Sequence, residues 1–454
     1  MQVTVLSRHA REQMHEAALG ILEEPGLQVE SPALAAQLAD LGLPFAAKDR
    51  VRIPRARVLQ ALESAPREVR LGARSPEKQA VLNGTRTYVT TDGCGSNTLD
   101  LETNRVRPAS LADVVASARL VDGLPNTDIY WSMVSAQDVE PANRVARGFL
   151  AALQNTVKPV QVVDAGTPAE AETLARMARQ IRSAGVVHGP PVSMVSAVVT
   201  PLRLDPGGTE AALVFARESL PVVCGSMPIS GVTSPATPAG TVMLAHAEAL
   251  AFVTILQTAH PGCPVVYCSF PTFGDARTGS ANYADPRHDW VGCAATELGR
   301  STGLPCFTSS SLFSLARVPD LCSWGGMLAT STLLCFEQLL IDDEIMGDRK
   351  IRARAQDASA ESLALDVLRK VGPGGHFLAQ RHTAQHVKQF GGLRFSESDA
   401  EMIGAPAQGE APARQRAREE ARRRIRCHRA EPLPEALEAA LLAIAERGAP
   451  GEAG

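Results

Sequence analysis

One short stretch of this chain gathers the side chains that hold an organic cation. Tyr267, Phe270, Phe273, Tyr283 and Trp290 stand close together in a sequence with only three Trp and four Tyr. Asp275 and Arg277 lie among them. Aromatic faces beside a carboxylate suit a quaternary ammonium, because the ring quadrupole attracts its charge. The same rings would equally fill a core, and both readings stay open at this level.

Three further segments offer chemistry. In Thr91-Asp-Gly-Cys-Gly-Ser-Asn97, Asp92 and Asn97 flank glycines that allow a ligand close to the backbone. A tight turn with a self-satisfied Asp explains the same residues. Ser226-Met-Pro-Ile-Ser-Gly-Val-Thr-Ser-Pro235 opens a loop that runs on to Gly240. It is longer than the roughly two to six residues of a plain connector. Its small residues and hydroxyls, Ser230 and Thr233 included, suit a wall beside a large flat ligand. His376 follows Gly374-Gly375; it can orient a substrate carboxylate, protonate a leaving group, or serve the fold. His382 and His386 have metal-ligand spacing on a helix, but no Glu sits between them and no third ligand is evident, so no metal is expected. Serine-nucleophile elbows, phosphate-binding glycine loops and EF-hand loops are missing from the sequence.

The elements that must position these residues alternate. Apolar or β-branched runs at 85–91, 128–135, 159–164, 191–199, 221–226, 264–270 and 305–309 are separated by amphipathic helical windows. Ser110-Leu-Ala-Asp113 and Thr167-Pro-Ala-Glu170 read as capping boxes. Strict alternation of strand and helix implies parallel strands joined by crossovers. No Gly-x-Gly-x-x-Gly follows the first strand, so a barrel is favoured over a dinucleotide-binding sheet. Seven strands can be counted where eight would close it. Residues 1–80 read as a helical extension, with Ser7 capping a first helix and a second starting near Pro54. The barrel is expected over 81–345 and a helical region over 346–454. Within these, a helix is expected over 327–340 and a linker over 406–416.

Bulk properties bound the rest. The chain has 454 residues, 45% hydrophobic and 21% charged, with net charge −4. That is ample for a large core and gives no polyanion-binding balance. The basic run Arg414–Arg426 reads as the solvated face of a helix. Nine scattered cysteines without a Cys-x-x-Cys pair suit reduced, buried thiols in a cytoplasm. Neither a secretory signal nor a membrane span is expected.

In order along the chain, several pieces resemble the trimethylamine methyltransferase family. They include Ile21-Leu-Glu-Glu-Pro-Gly26, Leu99–Asp113, Pro201-Leu-Arg-Leu-Asp205, Ser226–Gly240, Arg317-Val-Pro-Asp320, Glu337–Ile345 and Gly372-Pro-Gly-Gly-His-Phe-Leu378. The resemblance implies a (β/α)8 barrel that moves a methyl group from a methylated amine to the Co(I) of a corrinoid (cobalamin) on a partner protein. Founding members use pyrrolysine; this chain shows none, which points to the relatives that demethylate quaternary amines. It also implies site roles. Asp275, Tyr283 and Trp290, with Tyr267 and Phe273, hold the cation. Arg277 or His376 holds a substrate carboxylate. Asp92, Gly93, Asn97, Ser226, Ser230 and Thr233 face the corrin. The partners expected are a corrinoid protein, a small methylated amine and further copies of the chain, without nucleic acid or membrane. One departure stands out. In the family a helix and a strand separate the Val-Pro-Asp piece from the next Gly-Gly; here only Leu321–Trp324 does. About one βα unit is missing, so either 312–335 supplies an eighth strand or the barrel has a gap. A gap would favour a non-catalytic binder of a betaine-like cation or of a corrinoid protein. A third reading is a corrinoid-free lyase using a carboxylate–His pair.

Overall fold

The computed structural model describes residues 4–162, 165–308, 318–353, 358–386, 395 and 412–447. Eight parallel strands form a barrel: β1 (Tyr88–Thr90), β2 (Tyr130–Trp131), β3 (Val160–Val162), β4 (Ser193–Ala197), β5 (Val222–Gly225), β6 (Val265–Cys268), β7 (Cys306–Thr308) and β8 (Leu321–Ser323). They pair in chain order, and β8 pairs with β1 through Cys322 and Val89. The ring closes where Thr90 bridges Ile129 and the Ile129 N–H donates to the Val89 carbonyl at 3.1 Å. Each of the seven apolar runs contains one strand.

The eighth strand, which the sequence left as an alternative to a gap, is present. The shortfall lies in the crossover before it. Residues 309–320 alone separate β7 from β8, close to the minimum of about a dozen for a parallel connection. Every earlier crossover carries a helix of at least 12 residues: α4 (Leu111–Asp122), α5 (Pro141–Asn155), α6 (Pro168–Ala184), α7 (Pro206–Arg217), α8 (Pro238–Ala259) and α9 (His288–Ser301). Residues 309–317 lie outside the described ones, as do 163–164 and the 406–411 part of the expected linker.

The capping boxes form as read. Thr167 Oγ1 accepts from the Glu170 N–H at 3.2 Å while Glu170 accepts from the Thr167 N–H at 3.1 Å. α8 is apolar and long enough to cross a membrane, but 83% of its apolar window is buried inside the fold, where it packs on β5 and β6.

The N-terminal part is less purely helical than its sequence suggested. Beside α1 (Arg8–Glu23), α2 (Pro32–Asp40) and α3 (Arg55–Ser64), the strand Leu27–Val29 pairs with Arg50–Val51 and with Arg203–Leu204 beyond β4. The helix expected at 327–340 is also corrected. Gly325 and Gly326 take positive φ, and Met327–Leu328 pairs with Leu333–Leu334 as a hairpin. The following α10 (Phe336–Ala353) therefore contains the acidic Ile341–Ile345 run. The basic run forms α11 (Pro412–Cys427), followed by α12 (Glu435–Glu446). It is not simply solvated: Arg418 reaches Glu337 at 2.9 Å and Arg422 reaches Glu102 at 2.7 Å.

Alternation sorts the strand residues into two cores. Tyr130, Val160, Val162, Met194 and Tyr267 face outward into the core under the helices. Ile129, Trp131, Val195, Val223, Val266, Cys268, Phe307 and Leu321 form the inner one. The hairpin of Val69–Leu71 and Ala80–Leu82 contributes Val69, Leu71, Ala80 and Leu82 to that inner core. Its Val81 N–H donates to the Tyr88 hydroxyl at 3.1 Å, so it plugs the barrel at the strands' N-terminal end. The open end is the C-terminal one, where such barrels carry chemistry.

Candidate active site

The strand ends at this mouth bring Asp92, Tyr283, Trp131, Phe270 and Phe307 into one neighbourhood. Asp92 stands two residues past the end of β1. The Gly93 N–H donates to its Oδ1 at 3.0 Å, and the Ser331 hydroxyl donates to its other oxygen. Burial pushes its pKa above the usual carboxylate value against those two hydrogen bonds. Asp342 on α10 is raised by burial too, and the charge of Asp92 adds to the rise. Tyr283 is raised first by desolvation and then by the Asp92 charge. Below them, the Trp131 and Phe307 ring centroids are 5.9 Å apart, edge to face, and Phe270 meets Phe307 at 4.9 Å. A carboxylate that is costly to ionise, at the same strand ends as an aromatic wall, is an environment a cation stabilises.

Loops around the mouth expose apolar side chains. Val199 follows β4, Met227 and Val232 follow β5, and Tyr283 follows β6; all four are exposed. The loop after β5 pairs Ile229–Ser230 with Thr272–Gly274, which pairs in turn with Ala281–Asn282. The two loops therefore make one small sheet on the rim.

The sequence matches the family described as "Trimethylamine methyltransferase (MTTB)" over residues 1–324 and 322–451. The chain belongs to this family. A glycine betaine methyltransferase of Desulfitobacterium hafniense is 29% identical, covering 85% of each chain. A trimethylamine methyltransferase MttB of the same species is 26% identical over 95% of this chain and 91% of its own. In fold the chain resembles the monomethylamine methyltransferase MtmB of Methanosarcina barkeri, with a TM-score of 0.50 at 11% identity, covering 92% of both chains. An MtmB complex with hydroxylamine gives 0.54 over 93% of this chain and 88% of its own. For this member of the trimethylamine methyltransferase family, the match breaks and resumes at 322–324, at the end of β8 and just past the shortened crossover.

The structure gathers only some of the residues singled out from sequence. Asp275 and Arg277 pair with each other at 3.2 Å at the tip of the rim hairpin, where Arg277 is exposed. Tyr267 is fully buried on the outer face of β6, its hydroxyl 3.0 Å from His246 Nδ1, and so has its back to the mouth. Phe273 and Trp290 pack in a separate small core with Val242 and Val291, and the Arg287 guanidinium covers the Phe273 ring at 4.2 Å. His376 is exposed on the C-terminal segment.

The residues expected to face a corrin are mostly occupied within the fold. Ser226 donates to the buried Glu248 at 2.5 Å, Ser230 donates to the Pro235 carbonyl at 3.3 Å, and Thr233 Oγ1 accepts from the Ile229 N–H at 2.9 Å. The loop turns its hydroxyls inward and shows Met227 and Val232 instead. Gly93 is required by its own fold, since a Cβ there would collide with the Ser132 carbonyl oxygen. Asn97 lies on a short strand and donates to Ser96 Oγ at 3.1 Å. His382 and His386 stack at 4.2 Å, and no group of three or more potential metal ligands occurs among the described residues.

Trp131, Gln161 and Phe307 were missed, and the sequence held a faint signal for one of them. Gln161 is the polar residue between two valines of a strand buried on both faces.

Proposed function

We propose that the chain takes a methyl group from a methylated, quaternary or tertiary, amine and passes it to the cobalt of a corrinoid carried by a partner protein. The observation that carries this reading is Asp92 just past β1, next to Thr91, whose hydroxyl bonds the Trp131 backbone, with Trp131, Phe307 and Phe270 in edge-to-face contact in a barrel of this family. Relatives named for glycine betaine and trimethylamine support the substrate class. The cation sits against the aromatic faces with Asp92 balancing its charge. A quaternary nitrogen is already a leaving group, so the chain's task is to hold one methyl toward the open end and keep water out from below. The plug formed by Val69, Leu71, Ala80 and Leu82 does the latter.

The acceptor fits the rim. The protein that carries the corrin needs a surface to dock on, and Met227, Val232 and Tyr283 offer exposed apolar side chains around the mouth. These residues would meet the partner, whose cobalt supplies the nucleophile when bound. The eighth strand removes the gap that favoured a non-catalytic relative. The lyase reading loses its pair, since Asp275 holds Arg277 and His376 stands on another segment.

Incubation with a Co(I) corrinoid and a panel of methylated amines tests the proposal. Methyl-cobalt absorbance should grow with one amine class and be lost in Asp92→Asn while the melting temperature holds. No methylation by the parent protein with any amine would sink it.

A further inference from the structure

The barrel interior carries a row of polar atoms with nothing to bond. Trp131, Gln161 and Ser193 are register partners on β2, β3 and β4, so they stand side by side. Their outward neighbours Val160, Val162 and Met194 place Gln161 and Ser193 on the inner face. Trp131 Nε1, both Gln161 amide atoms and Ser193 Oγ are buried without a hydrogen-bond partner, and Gln161 is 0% exposed. Thr90 Oγ1, inward on β1, is in the same condition. Each such group costs free energy until something polar meets it. The opposite wall is apolar: Val223, Val266, Cys268 and Phe307. Trp131 and Val195, at the edge of the row, keep 7% of their surface exposed. No Lys, Arg or His occurs on the eight strands.

We propose that this row is a tail-binding subsite: the amine that fits this barrel carries a short hydrogen-bonding tail beside its methylated nitrogen. The inference rests on the amine reading above and names the substrate within it. With the nitrogen against Trp131 and Phe307, a tail one to three bonds away reaches Gln161 and Ser193. The Gln161 amide offers two donors and one acceptor, so it serves a hydroxyl or a carboxylate alike. No cation lines the strands, so a carboxylate tail is balanced by the substrate's own ammonium. A bare alkylammonium leaves the row unmet and is the poorer ligand.

Calorimetric titration of the protein alone with choline, glycine betaine and tetramethylammonium tests this without any corrinoid. The first two separate a hydroxyl from a carboxylate tail. At least one should bind roughly tenfold tighter than tetramethylammonium, the worth of one or two satisfied buried hydrogen bonds. In Gln161→Met that preference should shrink below about threefold, with tetramethylammonium affinity unchanged. Gln161→Met should also melt no lower than the parent, because it replaces an unmet amide with an apolar chain of similar length. Equal binding of all three amines by the parent overturns the tail subsite and leaves the amine reading standing. So does a preference that survives Gln161→Met. Binding of none of them overturns both.

Discussion

At the scale of single residues, Asp92 does most to set what this mouth accepts. Its carboxyl is half-buried, bonded by Ser331 and the Gly93 N–H, and raised above its ordinary value by desolvation. A raised acid is the more easily buried in its neutral form. Its ionisation therefore costs the fold stability as pH climbs from the ordinary carboxylate value through the raised one. For a cationic ligand the sign reverses. Only the ionised carboxylate balances the ammonium, so affinity should rise with pH through the raised value and then level off. Bound cation should in turn pull the Asp92 pKa down. Titration of tetramethylammonium across pH 4–8 should show this rise. Asp92→Asn should give a flat profile and weaker binding by about 2 kcal/mol or more, roughly thirtyfold. A parent profile as flat as the variant's would remove Asp92 from the cation's surroundings. Asp92 was singled out from sequence because glycines follow it, yet those glycines turned out to serve the chain's own close packing. Its neighbours Trp131 and Phe307 carried no such mark, since they lie inside strands that look like any apolar run.

The element that decides whether this barrel closes is β8, and one side chain fixes it. Asp320 is 1% exposed. Its carboxylate accepts from the Gly84 N–H at 2.6 Å and from the Cys306 N–H at 2.9 Å, joining the start of β8 to β7 and to the turn before β1. The backbone joins the same places: the Tyr88 N–H donates to the Asp320 carbonyl, and the Asp320 N–H donates to the Cys306 carbonyl, each at 2.9 Å. This clasp pins the end of the short crossover at the start of β8. Asp320→Ala strands one buried and one part-buried N–H group and should lower the unfolding free energy by about 2–4 kcal/mol. Chemical denaturation measures it; a loss under about 1 kcal/mol would show that β8 is held by other means. The sequence made seven strands legible because each is a long apolar run bounded by proline or turn residues. Leu321–Ser323 was barely legible, because three residues carry no periodicity and are held by a carboxylate's reach to distant N–H groups. The capping boxes at Ser110 and Thr167 were readable for the opposite reason: their bonds close within four residues.

Across the whole molecule, charge and apolar surface are distributed unevenly. The Arg-rich α11 ties the C-terminal part to the barrel through Glu102 and Glu337. The plug closes one end, and the other keeps Val199, Met227, Val232 and Tyr283 exposed. Single exposed apolar residues are ordinary, but several around one opening mark a contact surface. The surface is well supported from behind. Glu248 on α8 accepts from Ser226 at 2.5 Å, from Thr200 at 2.7 Å and from the Leu202 N–H at 2.7 Å, which holds the loops after β4 and β5 together. A rigid apolar rim should dock a partner with little ordering cost. Met227→Asp with Val232→Asp should therefore raise the KM for a corrinoid protein roughly tenfold or more, the worth of two well-placed apolar contacts. Amine affinity and the rate with free corrinoid should stay at the parent's values, because neither substitution reaches Asp92 or the aromatic wall. Parallel assays with free and protein-bound corrinoid separate the cases. If both rates fall together, the rim shapes the site itself; if neither falls, the partner lands elsewhere.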